Sequence, residues 1–474
     1  MVILFLCLLL VWLDGYISDT DNCVNSEENS ILTSLLQMRQ DHSTNKDDRI
    51  HSHVFKEHMP RLSSRVDLVK SNRISLDYVH EVVFAIRQKN MDELTRILHD
   101  VSDPLSSNYG QHLTREEVAY LTSNPESRDA VVSYLSSNGA SVISETLSGE
   151  YIRAKAPIAV WEVMFNTEFF AFHKTHFDQR VERVVRAEKY WVPRELDLHV
   201  ESIFNTIEMP IVSFGNLALH PLPHVESSDS SFNLQLVKYP GFMYPAIIKS
   251  FYNISSGTNG SVSSTQGVFA SDNSYYSPTD LNVFLTRMST RAYPVTNSYG
   301  NHSSYSICLS AGSRGNCTKG NLDLQYIMST SPISPTTYWY TDLSITDWLI
   351  TVVNSVNVPL VLAISYGVQE RSVSDSVLSA FSIQAIKLGA MGVTIVAASG
   401  DNGANDEAVN FYGEDSCEYT AIFPASNPYV TSVGGTSVRI SLFELPSRTL
   451  SSLIVTTSTF AGSGIRNSRG CVSV

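Results

Sequence analysis

Apolar residues alternate along some segments of the first half of the chain and recur every three or four residues along others. Residues 78–87, YVHEVVFAIR, have the pattern of a β-strand. Helical spacing follows, with Asn90 and Glu93 as a predicted capping box, and Thr114 with Glu117 predict the start of a second helix. We therefore expect the folded part of the chain to begin with one strand followed by two helices.

The next elements complete a recognisable order. A helix is predicted to open at Pro125, two alternating runs meet at Ser148-Gly149, another helix begins at Pro157, and EFFAFH, residues 168–173, is the last strand. The order strand, helices, strand, strand, helix, strand indicates the ferredoxin-like split βαβ arrangement. This arrangement is an antiparallel sheet with helices on one face.

The second half has a different pattern, in which helices alternate with strands that are apolar on both faces. PLVLAISYG, residues 359–367, and VTIVAASG, residues 393–400, are such strands. Continuous apolar strands joined by helices are typical of a parallel, doubly wound sheet, whose sites gather at the carboxyl ends of the strands. We therefore predict an α+β, ferredoxin-like domain followed by an α/β domain with a mainly parallel sheet.

These patterns divide the chain into five predicted parts. Residues 1–18 are a signal peptide, and 19–70 form a polar lead-in that we expect to be loosely ordered. The compact α+β pattern fills 71–210. Residues 211–235 form a linker whose HPLPHVESSDSSFN segment is suited to proteolytic processing, and 236–474 form the α/β domain.

Composition and charge narrow the class of protein. Of 474 residues, 43% are apolar, which fits a folded chain, and 47 acidic against 33 basic residues give a net charge of −14. That charge repels phosphate backbones, so nucleic acid is excluded as a predicted partner. The apolar run at residues 2–13 is too short to span a bilayer and favours a secretory signal over a buried terminal strand. We expect a protein of the secretory pathway, extracellular or lysosomal, with no membrane attachment after signal removal.

Cysteines and glycosylation sequons agree with that route. The chain has 6 cysteines, and loss of Cys7 with the signal leaves an odd number, which indicates a free thiol, an outside partner or a missing piece of chain. Cys308 and Cys317 are close enough in sequence to close a small loop. N-x-S/T sequons, all in polar stretches, occur at Asn253, Asn259, Asn301 and Asn316.

Several long motifs occur in an order that resembles one enzyme family. VAASGDNGAN and FPASNPYVTSVGGTS, together with NLDLQYIMS and LAISYG, resemble the sedolisin family of serine-carboxyl peptidases, which includes tripeptidyl peptidase I. The segment HEVVFAIRQKNMDELTRILHDVSDPLSSNYGQHLTREEV is similar to the activation prodomain of that family. The resemblance extends over roughly 78–445. It implies a zymogen with a subtilisin-like, acid-active peptidase domain.

The family mechanism implies four residues: a serine nucleophile, a glutamate base, an aspartate four residues later that orients the base, and an aspartate that donates to the oxyanion. By position, Asp401 matches the oxyanion aspartate and Asp323 matches the orienting aspartate. Lys319 stands where the glutamate is expected. An ammonium has no lone pair to accept a proton, and we expect it to pair with Asp323 and depress the pKa of that aspartate.

Two other residues are weaker candidates for the missing groups. Ser437, in GGTSVRIS, belongs to an upstream strand motif and is interpreted as structural, whereas Glu370, after a predicted strand end, is interpreted as a solvated loop charge. The resemblance fades after about residue 445, before the serine motif and the calcium loop that the family implies. We therefore expect a C-terminally incomplete peptidase domain, with no cofactor in this chain and no metal-binding motif.

Three readings remain open. The first is an acid peptidase zymogen that acts on peptides or proteins, has its own prodomain as intramolecular inhibitor, and has an incomplete sequence. Alternatively, the chain is a non-catalytic pseudopeptidase that binds peptides or a partner peptidase. The third reading is the product of a decaying gene, in which loss of the last sheet elements destabilises the domain.

Overall fold

The computed structural model describes residues 52–59, 68–175, 181–209, 244–255, 257–271, 274–310, 314–341, 344–400, 421–434, 437–438 and 455–456. The predicted signal peptide, the whole of the predicted linker and Asp401 lie outside these residues. The described residues form two units, which join at a buried interface.

The first unit alternates strands and helices as the sequence indicates. Its strands are β1 (His53–His58), β2 (Leu68–Arg73), β3 (Val79–Ile86), β4 (Ser141–Glu145), β5 (Tyr151–Pro157), β6 (Phe169–Thr175), β7 (Val181–Ala187), β8 (Lys189–Pro193) and β9 (Val200–Phe204). Its helices are α1 (Met91–Ser102), α2 (Arg115–Thr122), α3 (Pro125–Ser137), α4 (Ile158–Met164) and α5 (Arg194–Asp197).

The main sheet of this unit has the ferredoxin-like strand order but a different last strand from the one predicted. Its order is β4-β5-β3-β9, and all three pairings are antiparallel. The predicted last strand, EFFAFH, lies in β6, which pairs with β2 and β7 in a separate three-stranded sheet. The segments that form β6 and β9 are both apolar enough for a sheet edge. The alternation within each segment therefore does not decide which of the two strands pairs with β3.

Two further expectations for this unit are wrong. The predicted polar lead-in is structured at 53–58, because β1 pairs with β8. Asn90 does not cap α1: its backbone is left-handed, and its side-chain amide instead donates to the Leu121 carbonyl at 2.9 Å. The second predicted box is confirmed, since Thr114 and Glu117 exchange both capping hydrogen bonds at the start of α2.

The core of the first unit lies between the main sheet and helices α3 and α4. Phe84 on β3, Trp161 on α4 and the following Phe165 are fully buried there. The indole of Trp161 donates to the carbonyl of His80 at 3.0 Å, so its one polar atom is satisfied. The opposite face of the sheet is therefore free to bind another element.

The second unit contains the predicted parallel sheet. Its strands are β10 (Gln266–Ala270), β11 (Val295–Tyr299), β12 (Thr336–Tyr340), β13 (Val361–Ile364), β14 (Val368–Gln369), β15 (Thr394–Ala398), β16 (Ile422–Phe423), β17 (Thr431–Val433), β18 (Ser437–Val438) and β19 (Val455–Thr456). Its helices are α6 (Pro245–Phe251), α7 (Pro278–Arg287), α8 (Tyr305–Leu309), α9 (Arg314–Thr330), α10 (Ile345–Val353) and α11 (Asp375–Ala390).

Six of these strands form one sheet in the order β11-β12-β10-β13-β15-β17, with every pairing parallel. The chain enters at β10, places β11 and β12 on one side, and then places β13, β15 and β17 on the other. The direction of winding thus reverses at β10. Ligands of open α/β sheets bind beyond the carboxyl ends of the strands at such a reversal.

Helix α11 joins the two units because it is buried on both sides. Phe381 packs in the core of the parallel sheet, whereas Val377 and Ala380 pack on the free face of the first unit's sheet. On that face the side-chain amide of Gln384 donates to the hydroxyl of Tyr151 at 2.9 Å. The interface therefore combines apolar packing with specific polar contacts.

One of those polar contacts is a buried ion pair. The ammonium of Lys387 on α11 contacts the carboxylate of Glu150, which immediately precedes β5, and the two residues are 1% and 4% exposed. Glu150 also accepts a hydrogen bond of 3.4 Å from Asn354, beyond the end of α10.

Among the helices in the described part of the chain, none has the length and apolar character needed to cross a bilayer.

Candidate active-site region

Helix α9 carries the two residues that the sequence places on one face, Lys319 and Asp323. It runs from Arg314 to Thr330, so both residues lie within it. The pairing of Cys308 with Cys317 is confirmed, so a disulfide ties α8 to the first turns of α9. Later along α9, Leu324 and Met328 are buried against α7 and the sheet. The helix is therefore held at both its beginning and its middle.

The loop after β10 determines how closely α9 approaches the sheet. A Cβ atom on Gly320 would overlap the Tyr275 carbonyl oxygen and lie 2.6 Å from the hydroxyl oxygen of Tyr338, so glycine is required there. The side-chain oxygen of Asn321 accepts a hydrogen bond of 2.8 Å from the backbone of Ser277, which caps α7. These contacts place Lys319 and Asp323 at the carboxyl edge of the sheet.

Lys319 lies over an aromatic ring. Its Nζ is 4.9 Å from the ring centroid of Tyr366, a distance at which a cation is attracted to the face of the ring. The Tyr366 hydroxyl donates to the carbonyl of Ser271 at 3.2 Å, which links the end of β13 to the end of β10. The ring is buried, with 2% of Tyr366 exposed, whereas Lys319 is partly exposed.

Asp323 lies in a less polar environment than the sequence suggests. Its Oδ2 atom is buried and has no hydrogen-bond partner. Burial raises the pKa of Asp323 from 3.8 to about 6, and the Lys319 charge and a hydrogen bond from Ser365 offset only part of that increase. The expected depression of this pKa is therefore wrong in its net direction, because desolvation outweighs the attraction of the ammonium.

The remaining sequence candidates are Asp401, Ser437 and Glu370. Asp401 lies outside the described residues, which reach Gly400 after β15. Ser437 begins the short strand β18, in agreement with its interpretation as part of a strand. Glu370 begins a 3-10 turn after β14, and it contributes nothing to the raised pKa of Asp323.

Two contributors to the region, Ser365 and Tyr366, were not identified as site residues from the sequence. Their only signal was their place in LAISYG, directly after an apolar strand. Among the residues that the structure describes, no group of three or more histidine, cysteine or carboxylate side chains is placed to bind a metal ion. The described region thus contains an ammonium over a tyrosine ring and a carboxyl that has one buried oxygen and a hydrogen bond from a serine hydroxyl.

Comparison with known proteins finds one matching domain family and several similar proteins. The Pro-kumamolisin activation domain model matches residues 67–209, which contain most of the first unit. Tripeptidyl-peptidase SED2 of Arthroderma otae is 28% identical over 388 residues, covering 74% of this chain and 62% of that protein. Tripeptidyl-peptidase 1 of Pongo abelii is 28% identical over 368 residues, covering 75% of this chain and 61% of that protein.

Among solved structures, a Pseudomonas sedolisin bound to pseudo-iodotyrostatin matches 42% of this chain and 55% of its own, with 23% identity and a TM-score of 0.33. The chain spans about three fifths of the length of the tripeptidyl-peptidases described above, 62% and 61%. The match at 67–209 and these relatives agree with the resemblance carried by the sequence motifs. The chain is thus similar to the tripeptidyl-peptidases of the sedolisin family, and its residues 67–209 match the Pro-kumamolisin activation domain.

Proposed function

We propose that this chain is a sedolisin-family zymogen homologue that does not hydrolyse peptides in its present form. The observation that supports the proposal is the position of Lys319, over the ring of Tyr366 and one helical turn before Asp323. In the family pattern that position belongs to the glutamate that takes the proton of the serine hydroxyl. A protonated amine cannot accept that proton, so the first step of acyl transfer lacks its base.

Asp323 does not replace the missing base. The proposed role of this residue in the family is to orient the glutamate, and here it faces a cation instead. With a pKa raised to about 6 by burial, Asp323 is mostly neutral over the acidic range in which the family works. A neutral carboxyl does not accept the hydroxyl proton, so we assign Asp323 no base function.

The wider proposals concern the whole protein. We propose peptides or proteins as ligands, the activation domain as an intramolecular cover of the second unit, and a route through the secretory pathway to an extracellular or lysosomal location. The activation-domain match and the tripeptidyl-peptidase relatives support the first two. The apolar run at residues 2–13 supports the third.

The test is a peptide-hydrolysis assay between about pH 3 and pH 6, where acidic peptidases are active. It compares the chain with its Lys319→Glu variant. Both are assayed in two forms, one with the chain's own C-terminus and one fused to the C-terminal segment of a tripeptidyl-peptidase relative. We expect activity only when Lys319→Glu and the added segment are combined. Lys319→Gln with the same added segment is the matched control, because it removes the charge without supplying a base.

Two results would contradict the proposal. One is hydrolysis by the unmodified chain that Asp323→Ala abolishes, since this would require a different base. The other is labelling of the unmodified chain by a serine-directed phosphonate, which reacts only with an activated serine. Hydrolysis by the fused chain that retains Lys319 would instead favour the zymogen interpretation, in which this chain is part of an active peptidase.

A further inference from the structure

The region around Lys319 has the composition of an anion site. In the part of the chain that the structure describes, the ammonium of Lys319 is in no salt bridge, and its contact is with the ring of Tyr366. Ser365, which follows β13 and immediately precedes Tyr366, is also partly exposed. A cation over a buried aromatic ring and a hydroxyl group on the residue before that ring are thus both partly open to solvent.

The fold places this group where α/β sheets bind ligands. Tyr366 follows β13 and Ser271 follows β10, and their hydrogen bond of 3.2 Å joins the two strands at the reversal of winding. Lys319 reaches the same point from α9. Three separate elements therefore converge on one end of the sheet, as they do at ligand sites of this architecture.

Asp323 adds a second feature that indicates a ligand. Its Oδ2 atom is buried without a hydrogen-bond partner, although buried polar atoms are nearly always paired. The charged or titratable groups that act on it or that it acts on are Lys319 on its own helix and Tyr338 on β12. Below its pKa of about 6, a protonated Asp323 does not repel an anion and is able to donate a hydrogen bond.

We infer that Lys319, Ser365 and Asp323 form a binding site for a carboxylate group, and that its ligand is the free C-terminal carboxylate of a peptide. Lys319 donates to the carboxylate, and the protonated carboxyl of Asp323 provides a second donor. The Ser365 hydroxyl hydrogen-bonds to Asp323, and the Tyr366 ring keeps the ammonium in place. The inference rests on the proposed function, because a peptide that is hydrolysed does not remain bound. Lys319, which stands in place of the glutamate base, thereby becomes the residue that binds the carboxylate of the peptide.

The test measures binding of N-acetyl-trialanine by isothermal titration calorimetry to the full chain at about pH 5, which is below the pKa of Asp323. The ligand is compared with its C-terminal amide, which has the same backbone without the negative charge. We expect the free acid to bind at least about tenfold more tightly than the amide, since a hydrogen bond to a charged group contributes that much. Acetate added in excess distinguishes a general carboxylate site, where it displaces the peptide, from a site that also requires the peptide backbone, where it does not.

Variants identify the cation responsible. Lys319→Gln should weaken binding of the free acid by about tenfold or more and leave the amide unchanged, whereas Lys319→Arg should retain most of the preference. Lys70→Gln is the matched control, because Lys70 also lies over an aromatic ring, 3.7 Å from that of Phe170, but is already paired with Glu188 at 2.8 Å. Circular dichroism of each variant confirms that it is folded.

The outcomes separate the two proposals. Equal binding of acid and amide, no binding of either, or full binding by a folded Lys319→Gln variant would each overturn the carboxylate site while leaving the proposed function intact. Chromatography of the recovered peptide tests the proposed function in the same sample. Cleaved trialanine would refute the absence of hydrolysis, whatever the affinity.

Discussion

Replacement of Lys387 by methionine tests whether the two units depend on their buried ion pair. Lys387→Met keeps much of the side-chain volume but removes the charge opposite Glu150. That carboxylate, 4% exposed, would retain only the hydrogen bond of 3.4 Å from Asn354. The variant therefore leaves an anion in the interface without a compensating cation.

The magnitude follows from the burial of both partners. Removing one member of a buried ion pair costs about 3–5 kcal/mol, because the desolvated charge that remains has no partner. Replacing both, as in Glu150→Leu with Lys387→Met, should cost far less, since an apolar pair requires no desolvation. The coupling free energy between the two sites should therefore exceed about 2 kcal/mol.

The assay is urea unfolding at neutral pH, followed by tryptophan fluorescence for the full chain, both single variants and the double variant. Lys155→Met is the control, because Lys155 is 52% exposed and 3.9 Å from Glu81, a geometry for which about 1 kcal/mol or less is expected. If Lys387→Met costs no more than this control, the interface does not depend on a desolvated pair and the reasoning fails.

Three further predictions concern α9 and the residues beside it. Burial raises the pKa of Asp323 above its unfolded value, so the contribution of Asp323 to stability is fully present below about pH 4 and is lost as the pH rises through about 6. This pH dependence, at most about 3 kcal/mol, should disappear in Asp323→Asn when unfolding is measured from pH 4 to 7. Gly320→Ala should lower stability by about 1–3 kcal/mol in thermal unfolding, because its Cβ would overlap Tyr275, and a gain in stability from helix propensity would contradict the close approach. Joint replacement of Cys308 and Cys317 by alanine should cost about 2–3 kcal/mol, measured against the oxidised chain, and an unchanged unfolding midpoint would show that the disulfide constrains little.

Local sequence patterns predicted those strands and helices that have a buried face. The parallel sheet followed from the apolar runs of β13 and β15, and the order of the first unit followed from alternation and capping signals. The choice of β9 rather than β6 as the partner of β3 did not follow, because strand pairing depends on contacts distant in sequence. Strand β11, VTNSY, is mostly polar and exposed at the sheet edge, and it gives no such signal.

The candidate site shows the same limit. Lys319 and Asp323 are four residues apart, the spacing of neighbours on one helical face, and both lie within one helix. The pKa of Asp323 depends on how much water the surrounding loops exclude, and no spacing along one helix contains that information. The contact with Tyr366 likewise joins two elements that are distant in the sequence.

Helix α11 has a practical consequence for how processing of this protein is detected. Because both of its faces are covered, hydrolysis of the chain between the units would leave the fragments held together by the same surface. Two bands on a denaturing gel would therefore not demonstrate dissociation, and size-exclusion chromatography under native conditions would still show a single species. A second unit produced by itself would present Val377 and Ala380 to water and tend to precipitate.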